Sequence, residues 1–224
     1  MVFVPSRGLH LPVSWKSWYE TDRVQCGRSD GSCGFCGVKT GRPENIDWEE
    51  PEKVAQSIKI MNIKHAVITS VDRDDLKDMG SIIWSETVKA IRRLNPNTTL
   101  ETLIPDFQGN ENIIDRIINV SPEVVSHNLE TVRRLTRKVR IQAKYDRSLS
   151  VLSYLKEKGV NRTKSGVMLG LGEKEDEVYE TLDDLINVNV DIVTLGQYLQ
   201  PSKKHLHVSS FITPETFKKY EDYA

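Results

Sequence analysis

Cysteines are the residues of this 224-residue chain best suited to hold a metal centre. Cys33-Gly34-Phe35-Cys36 places two thiols two residues apart, and such a pair can bind one metal centre from a single loop. The only other cysteine in the sequence is Cys26. A structural zinc ribbon requires a second pair of ligands, and the sequence has no second cysteine pair. The pattern therefore predicts a site with three thiolates, or a site that has lost one of them.

Composition places the chain among globular proteins. Hydrophobic residues make up 38% and charged residues 28% of the sequence, which is typical of one or two soluble domains with a sizeable core. No apolar run approaches the ~20 residues that cross a bilayer. The stretch from Met1 to Ser17 contains too many prolines and charges for a signal peptide. We therefore expect a cytoplasmic protein with no membrane association.

Charge argues against a general nucleic-acid-binding protein, because the formal net charge is -1. One segment, from Arg133 to Arg140, is nevertheless locally basic. An amphipathic helix with a solvated face is the simpler interpretation of this run. No nucleic-acid partner is expected.

From Glu52 onward the sequence alternates between strand-like and helix-like patterns, which predicts an α/β fold with parallel strands and covering helices. The predicted strands are His65 to Ser70, Thr98 to Ile104, Glu123 to His127, Ser165 to Leu171 and Asp191 to Leu195. The predicted helices are Pro51 to Met61, Ser81 to Leu94, Asn110 to Asn119, Arg147 to Lys158, Glu173 to Asn187 and Thr213 to Tyr223. Periodicity leaves a barrel, a partial barrel and an open doubly wound sheet as alternatives.

Polar residues follow each predicted strand. These segments are Ser70 to Asp75, Pro105 to Phe107, Asn128 to Thr131, Gly170 to Glu173 and Gly196 to Tyr198. Ligands of parallel β/α folds bind at the carboxyl ends of the strands, so these groups are expected to converge on one face. The alternative for each single position is a turn or helix cap, which favours the same residue types.

From about Ser32 to the last residue the chain resembles the lipoyl synthase family of the radical S-adenosylmethionine (SAM) superfamily, in its bacterial form. The resemblance rests on CGFCGVKTGRP, EPEKVAQSI, HAVITSVDRDDLKD, TTLETLIPDFQG, HNLETVRRLTRKVR, TKSGVMLGLGE and TLGQYLQPSKKHL. It divides the chain into a divergent segment at residues 1–31 and a core at residues 32–224. The core is expected to be truncated at its C-terminus.

The resemblance implies a partial parallel (β/α)6-type barrel, here incomplete with five clear strands. In the family such a barrel binds a [4Fe-4S] cluster and SAM at the strand carboxyl ends. An electron from the cluster cleaves SAM to a 5′-deoxyadenosyl radical, which abstracts hydrogen from carbons 6 and 8 of an octanoyl chain. An auxiliary [4Fe-4S] cluster supplies the sulfur. The protein positions these groups, and the cofactors supply the chemistry.

The resemblance also implies partners. The octanoyl chain is carried on a lysine of the lipoyl domains of 2-oxoacid dehydrogenase E2 subunits or of the glycine cleavage H protein. A low-potential electron donor such as flavodoxin or ferredoxin reduces the radical cluster.

Individual roles are carried over only where the motifs match. Cys33 and Cys36 correspond to the last two cysteines of the radical cluster motif, and Phe35 to the aromatic residue that packs near the adenine. The Ser70-Val71-Asp72 segment occupies the place where the superfamily binds the methionyl amino group. The remaining candidates for SAM contacts are Asn128, Glu130, Gly170, Glu173, Gln197 and Tyr198. Lys164 and Arg140 can neutralise a carboxylate, but an exposed basic residue is the favoured interpretation of each.

The cysteine spacing departs from the family pattern CxxxCxxC. Ser29 stands at the place of the first cysteine, and Cys26 lies three residues earlier, which gives C-x6-C-x2-C. A longer loop costs little closure entropy, so Cys26 can reach an iron if the loop bulges. A hydroxyl is a weaker iron ligand than a thiolate, so Ser29 is not favoured as a replacement.

The ends of the chain also depart from the family. Tyr19 to Gln25 is too polar for the apolar first barrel strand, and the ligands of the auxiliary cluster are missing. One hypothesis is a truncated or frame-disrupted member of the family, and the alternative is a natural paralogue with a remodelled entrance. The first hypothesis predicts that the strand from His65 to Ser70 lies at an exposed or irregularly covered sheet edge.

The sequence leaves three hypotheses for the function of the chain. The chain is an enzyme that inserts two sulfur atoms, as in the lipoyl synthase family. Alternatively, it is a radical SAM enzyme with one cluster that only abstracts hydrogen. The third hypothesis is an inactive fragment or a non-enzymatic module that binds octanoylated carrier domains.

Overall fold

The computed structural model describes residues 33–37 and 46–224. Five strands form its sheet: β1 His65–Thr69, β2 Thr99–Leu103, β3 Val124–Ser126, β4 Thr163–Leu169 and β5 Ile192–Gln197. The α-helices of the described residues are α1 Glu50–Ile60, α2 Ser81–Leu94, α3 Glu111–Ile118, α4 Thr136–Val139, α5 Tyr145–Glu157, α6 Glu175–Asn187 and α7 Pro214–Tyr223. Short 3-10 turns span Phe107–Gly109 and Arg133–Leu135. The predicted α/β class is confirmed.

The strands are all parallel and lie in the order β1-β2-β3-β4-β5. Each crossover carries at least one helix, as parallel connections require. In the part of the chain that the structure describes, the sheet does not close, and β1 and β5 are its edges. The architecture is therefore the incomplete, five-stranded partial barrel that the family resemblance implied.

Alternation along each strand separates two faces of the sheet. In β1 the side chains of Ala66 and Ile68 are buried, whereas Val67 between them is 42% exposed. Buried side chains on this first face pack against helices in two apolar clusters, represented by Ile91 with Leu100 and by Val167 with Leu182. Burial of apolar surface on this face stabilises the sheet. The second face, which carries Val67, is called the inner face below.

Most strand boundaries differ from the predictions by one residue, and both ends of β4 and the end of β5 differ by two. β4 begins at Thr163, two residues earlier than predicted, because Asp191 accepts hydrogen bonds from the Thr163 amide (2.7 Å) and hydroxyl (3.0 Å) and holds that strand start. β5 continues to Gln197, beyond the predicted end at Leu195, because its ladder with β4 runs through the Leu169 pair. Gln197 therefore lies in the strand and not in the following loop.

The basic run is also not the amphipathic helix that was predicted. It consists of a 3-10 turn at Arg133–Leu135 and the single turn of α4. Arg133 pairs with Asp146 and, at 3.1 Å, with Asp184, while Arg134 forms a bidentate pair with Glu177. These pairs attach the run to α5 and α6, and ion pairing explains two of its five cations.

Candidate active site

The cysteine pair lies on one tight turn. The amide of Cys36 donates to the carbonyl oxygen of Cys33 at 3.0 Å, and both cysteines are half-buried. Phe35, between them, packs against the apolar cluster of β4 and α6. The turn therefore keeps two cysteines two residues apart while its aromatic residue anchors it to the core.

Contacts from two distant parts of the chain hold this cysteine turn. The amide of Gly34 donates to the carbonyl of Val139 at 3.0 Å, and the carbonyl of Gly34 accepts from the Leu206 amide at 2.8 Å. The carbonyl of Cys36 is 2.8 Å from Nε2 of His205. A carbonyl only accepts, so this nitrogen of His205 carries a proton and donates.

Two thiolates on one turn fit two positions of an iron–sulfur cluster, because sulfur is the preferred protein ligand of such clusters. The third expected ligand, Cys26, and its alternative Ser29 lie outside the described residues. Within residues 33–37 and 46–224, no group of three or more cysteine, histidine or acidic side chains is arranged to hold a metal ion. The contribution of Cys26 stays a prediction.

The turn after β3 carries Asn128 and Glu130 and has an unusual backbone. Glu130 has φ of 66°, a left-handed conformation that is uncommon for a residue with a side chain. Its amide donates to the Gly166 carbonyl and its carbonyl accepts from the Met168 amide, both at 2.9 Å, so β4 holds it there. Surroundings that impose such strain are common at functional sites.

The side chains of this turn contact each other. Nδ2 of Asn128 donates to the Glu130 carboxylate at 3.0 Å. Burial raises the pKa of Glu130, and the nearby Arg140 guanidinium and the Asn128 hydrogen bond oppose that rise. A Cβ at position 166 would lie 2.8 Å from Oδ1 of Asn128, so Gly166 leaves the space that the amide occupies. Together they form a compact polar group that can donate and accept.

Arg140 supports the turn after β3 through hydrogen bonds to its backbone. Its Nη1 donates to the carbonyls of Asn128 (3.0 Å) and Leu129 (3.2 Å) and lies 3.3 Å from the Ser148 hydroxyl. Ser148 is in turn 2.9 Å from Nε2 of His127. The favoured interpretation of Arg140 as an exposed basic residue was therefore wrong, because its charge is half-buried against backbone carbonyls.

His127 completes this support and was missed in the sequence. Its ring is buried, and its Nδ1 lies 2.9 Å from the carbonyl of Ile104. Burial and the positive charge of Arg140 lower the pKa of His127 to about 4, so the ring is neutral near pH 7. The only available signal was its position directly before Asn128 in the HNLET motif.

The segment after β1 is held by α2. The hydroxyl of Ser70 accepts from Nε1 of Trp84 at 3.0 Å and donates to the carbonyl of Val71 at 3.0 Å. Val71 and Asp72 are half-buried at the carboxyl end of the strand. The tryptophan therefore positions this segment at the same end of the sheet as the Asn128 turn.

Gly170 and Glu173, two further predicted SAM contacts, lie in the loop that follows β4. Glu173 accepts from the amides of Gly170 and Leu171. Gly170 has φ of 98°, and a Cβ there would lie 2.4 Å from Nε2 of Gln197 and from the Ser210 carbonyl. A side chain at this position would clash with both groups.

Gln197 and Tyr198 fasten the segment that follows β5. Gln197 donates to the carbonyl of Ser210 (3.1 Å) and accepts from the Ile212 amide (2.8 Å). Tyr198 is 2% exposed, and its hydroxyl donates to the Leu206 carbonyl at 2.7 Å. Since the Leu206 amide donates to Gly34, these residues indirectly hold the cysteine turn.

The inner face of the sheet carries a charged cluster that sequence reasoning did not predict. Glu101 on β2 is 6% exposed; it accepts from the Ser126 hydroxyl at 2.7 Å and pairs with Lys164 at 3.1 Å. Nε2 of His65 lies 3.8 Å from the same carboxylate. Lys164 was expected to be an exposed basic residue, and the structure corrects this because its charge neutralises a buried acid.

Comparison with known proteins identifies the family. Residues 26–185 match the model of the Radical SAM superfamily. The chain is 80% identical over 192 residues to the lipoyl synthase of Flavobacterium johnsoniae, and the match covers 86% of this chain and 67% of that protein. It is 64% identical over 215 residues to the lipoyl synthase of Karelsulcia muelleri, covering 96% and 75%. The chain belongs to the lipoyl synthase family of the radical SAM superfamily.

The lipoyl synthase family match extends to a eukaryotic protein. The mitochondrial lipoyl synthase of Nematostella vectensis is 78% identical over 190 residues, which cover 85% of this chain and 65% of that protein. The chain thus spans about two thirds of the length of most of these relatives. The division of the chain at residue 32 stays a prediction.

Two solved structures with the same fold are distant in sequence from this lipoyl synthase family member. Methylornithine synthase (PylB) superposes with a TM-score of 0.65 at 15% identity, covering 81% of this chain and 53% of that one. The hydrogenase maturase HydG gives 0.67 at 16% identity, covering 84% and 44%. At this identity the likeness shows the fold alone. None of the helices in the described residues has the length and apolar character needed to span a membrane.

Proposed function

We propose that this chain carries the radical SAM core of a lipoyl synthase, which inserts two sulfur atoms at C6 and C8 of a protein-bound octanoyl-lysine. The observation that carries the proposal is one continuous chain of contacts between its two key turns. Gly34 of the cysteine turn bonds to Val139, and the next residue, Arg140, bonds to the carbonyl of Asn128. A cofactor held by the thiols would therefore lie beside the polar turn after β3.

Cys33 and Cys36, with Cys26 as the third ligand, would hold a [4Fe-4S] cluster. When bound, this cluster supplies the electron for reductive cleavage of SAM. The half-buried position of both cysteines would limit access of water and oxidants to a bound cluster. An auxiliary cluster, the expected sulfur source, has no proposed ligands among the described residues.

The polar turn supplies contacts to SAM. Asn128 and Glu130 would bind its ribose or methionyl groups, and Phe35 would pack near its adenine. Ser70, Val71 and Asp72 would bind the methionyl amino group at the end of β1. Because the pKa of Glu130 is raised, its carboxylate loses charge at a higher pH than an ordinary glutamate, and SAM affinity should fall as the solution is acidified.

The remaining candidates act through the loops. Gly170, Glu173, Gln197 and Tyr198 would line the mouth of the site or hold its segments in place. We propose octanoylated carrier domains as substrates, namely the lipoyl domains of E2 subunits and the H protein. A low-potential electron donor completes the set of partners, and a cytoplasmic location is proposed for the chain.

The test is anaerobic reconstitution of the chain with iron and sulfide, followed by incubation with SAM, reductant and an octanoylated lipoyl domain. Mass spectrometry should detect 5′-deoxyadenosine, the product of the radical core, and a lipoylated domain would show in addition that the chain holds a source of sulfur. Formation of 5′-deoxyadenosine without a sulfur-containing product would instead support an enzyme with one cluster that only abstracts hydrogen. A chain that binds the octanoylated domain but takes up no iron and forms no 5′-deoxyadenosine would support a binding module and contradict the proposal.

A further inference from the structure

The segment that follows β5 bonds to two carbonyls of the cysteine turn, and we call its residues 200–206 the clamp segment. The amide of Leu206 donates to the Gly34 carbonyl at 2.8 Å, and Nε2 of His205 donates to the Cys36 carbonyl at 2.8 Å. The first contact comes from the backbone and suits almost any residue type. The second requires a side chain that donates a hydrogen bond, so the identity of His205 matters for the cysteine turn.

Ser202 fixes the proton of the His205 ring. The Ser202 hydroxyl lies 2.8 Å from Nδ1 of that ring. Its oxygen also accepts from the Lys204 amide at 3.3 Å, which leaves the hydroxyl proton for the ring. A neutral imidazole carries one N–H, so a hydroxyl that donates to Nδ1 keeps that proton on Nε2. Ser202 therefore selects the tautomer that can donate to Cys36.

The backbone of His205 is bonded as fully as its ring. Its amide donates to the Ser202 carbonyl at 3.0 Å, and its carbonyl accepts from Nε2 of Gln200 at 3.0 Å. All four hydrogen-bonding groups of this half-buried residue are thus in use, whereas His207 nearby is exposed. The clamp segment therefore holds the His205 ring in one orientation.

We propose that His205, oriented by Ser202, is a positioning residue that holds Cys36 ready to bind iron. The proposal deepens the proposed function and rests on it, because it needs a cluster at the cysteine turn. The hydrogen bond restrains the peptide group that follows Cys36 and so restricts the backbone from which the thiol projects. Groups that orient metal ligands in this way contribute about 10- to 100-fold to metal affinity or activity.

The place of the contact favours a role in ligand orientation over simple attachment of the turn. Phe35 packs in the apolar cluster of β4 and α6, and both backbone groups of Gly34 are hydrogen-bonded, so the turn is attached to the fold without His205. The bond from His205 is made to the carbonyl of an expected ligand. Its loss should therefore change the behaviour of Cys36 more than the stability of the fold.

Two amide substitutions separate the Nε2 donor from the rest of the ring. Counted in bonds from Cβ, glutamine carries its amide nitrogen at the place of Nε2, and asparagine carries its amide at the place of Nδ1. His205→Gln should therefore keep the hydrogen bond to Cys36, and His205→Asn should lose it. His207→Gln, a change at the exposed histidine two residues away, is the matched control.

Thiol alkylation of the iron-free chain measures this positioning without a cluster. Iodoacetamide labels the thiols, and fragment ions in mass spectrometry distinguish Cys36 from Cys33. In His205→Asn, Cys36 should react about fivefold faster than in the parent, because loss of one hydrogen bond makes local opening more frequent by about this factor. His205→Gln and His207→Gln should keep the parent rate.

Ser202→Ala provides a second variant at an exposed position. It removes the hydroxyl that selects the tautomer, so the Cys36 rate should rise about twofold, less than in His205→Asn. This variant decides the test if His205→Asn does not fold. A Cys36 rate equal to that of the parent in every folded variant overturns the proposal.

Retention of iron by the reconstituted chain gives a second readout. Loss of the cluster to an excess of chelator, followed by absorbance, should be about tenfold faster in His205→Asn and should return to the parent rate in His205→Gln. Equal acceleration in both variants would assign the effect to ring packing and overturn the proposal. A chain that assembles no cluster contradicts the proposed function, while the alkylation rates still test His205.

Discussion

The Asn128–Glu130 turn and the cysteine turn differ in how the fold holds them. Asn128 and Glu130 follow a central strand and are fixed by β4, by Arg140 and by the buried His127. The cysteine turn belongs to no strand or helix of the described residues and is held by a few hydrogen bonds to Val139, His205 and Leu206. The comparison suggests that the sheet stabilises one half of the site, whereas the other half depends on contacts from distant loops and on its cofactor.

Loss of a thiol should have the largest effect on function and the smallest on the fold. Cys33→Ser should abolish cluster absorption and 5′-deoxyadenosine formation after reconstitution, because a hydroxyl is a poor iron ligand. The free energy of unfolding of the iron-free chain should stay within about 0.5 kcal/mol of the parent value, as for substitutions away from the core. Ser29→Cys, which creates the family spacing, is the informative partner variant and should raise iron content. An iron-loaded Cys33→Ser protein would contradict the dependence of the cysteine turn on its thiols for cofactor binding.

A substitution on the inner face of the sheet should instead have its larger effect on the stability of the fold. Lys164→Met leaves the Glu101 carboxylate buried without its cation, and removal of one partner of a buried pair costs about 3 kcal/mol or more. Urea unfolding should show this loss, and the double variant Glu101→Gln with Lys164→Met should recover much of it. The Lys59→Glu variant provides a surface control. If Lys164→Met and the double variant were equally unstable, the ion pair would not explain the effect.

The lowered pKa of His127 predicts that the free energy of unfolding depends on pH. Its pKa is about 4 in the folded protein and near 6.5 in the unfolded chain, so the unfolded state binds more protons between these values. The free energy of unfolding should therefore fall as pH drops from about 6.5 to about 4, by on the order of 3 kcal/mol for this residue. Urea midpoints across this range measure the effect. His127→Gln should flatten the curve, whereas His207→Gln, an exposed histidine, should not.

The smallest effects are expected when one glycine beside each turn is replaced by alanine. In Gly166→Ala the new Cβ would lie 2.8 Å from Oδ1 of Asn128, which must move, so SAM affinity should fall about tenfold by calorimetry. In Gly34→Ala the nearest atoms, Cγ (2.9 Å) and Cδ1 (3.0 Å), belong to Leu206, a side chain that is no proposed SAM contact. The alanine at position 34 should therefore lower SAM affinity less than the alanine at position 166. Equal losses in the two variants would show that the turns are equally rigid.

Much of the fold could be predicted because periodicity is a local property. α2 occupies the predicted residues Ser81–Leu94, and all five strands occur where apolar, β-branched runs were found. The strand ends were less predictable, since the start of β4 depends on Asp191, a residue 28 positions away from Thr163. Such boundaries depend on tertiary contacts and not on local sequence pattern.

The site could be predicted only in part, for a related reason. Residue types at the strand ends predicted a ligand site at the carboxyl end of the sheet, and the family resemblance predicted its chemistry. The pairing of Lys164 with Glu101, the left-handed conformation of Glu130 and the role of His127 all arise from contacts between strands. A lysine in a strand sequence gives no sign of whether an acid faces it on a neighbouring strand.

The central claim is that the cysteine turn and the Asn128–Glu130 turn act on one molecule of SAM. Electron paramagnetic resonance of the reconstituted, dithionite-reduced chain tests it most directly. Addition of SAM should change the spectrum of the reduced cluster in the parent chain. In Glu130→Gln the same change should require a roughly tenfold higher concentration of SAM, because a hydrogen bond to a charged group is lost. A cluster spectrum that SAM leaves unchanged in the parent chain would contradict the account.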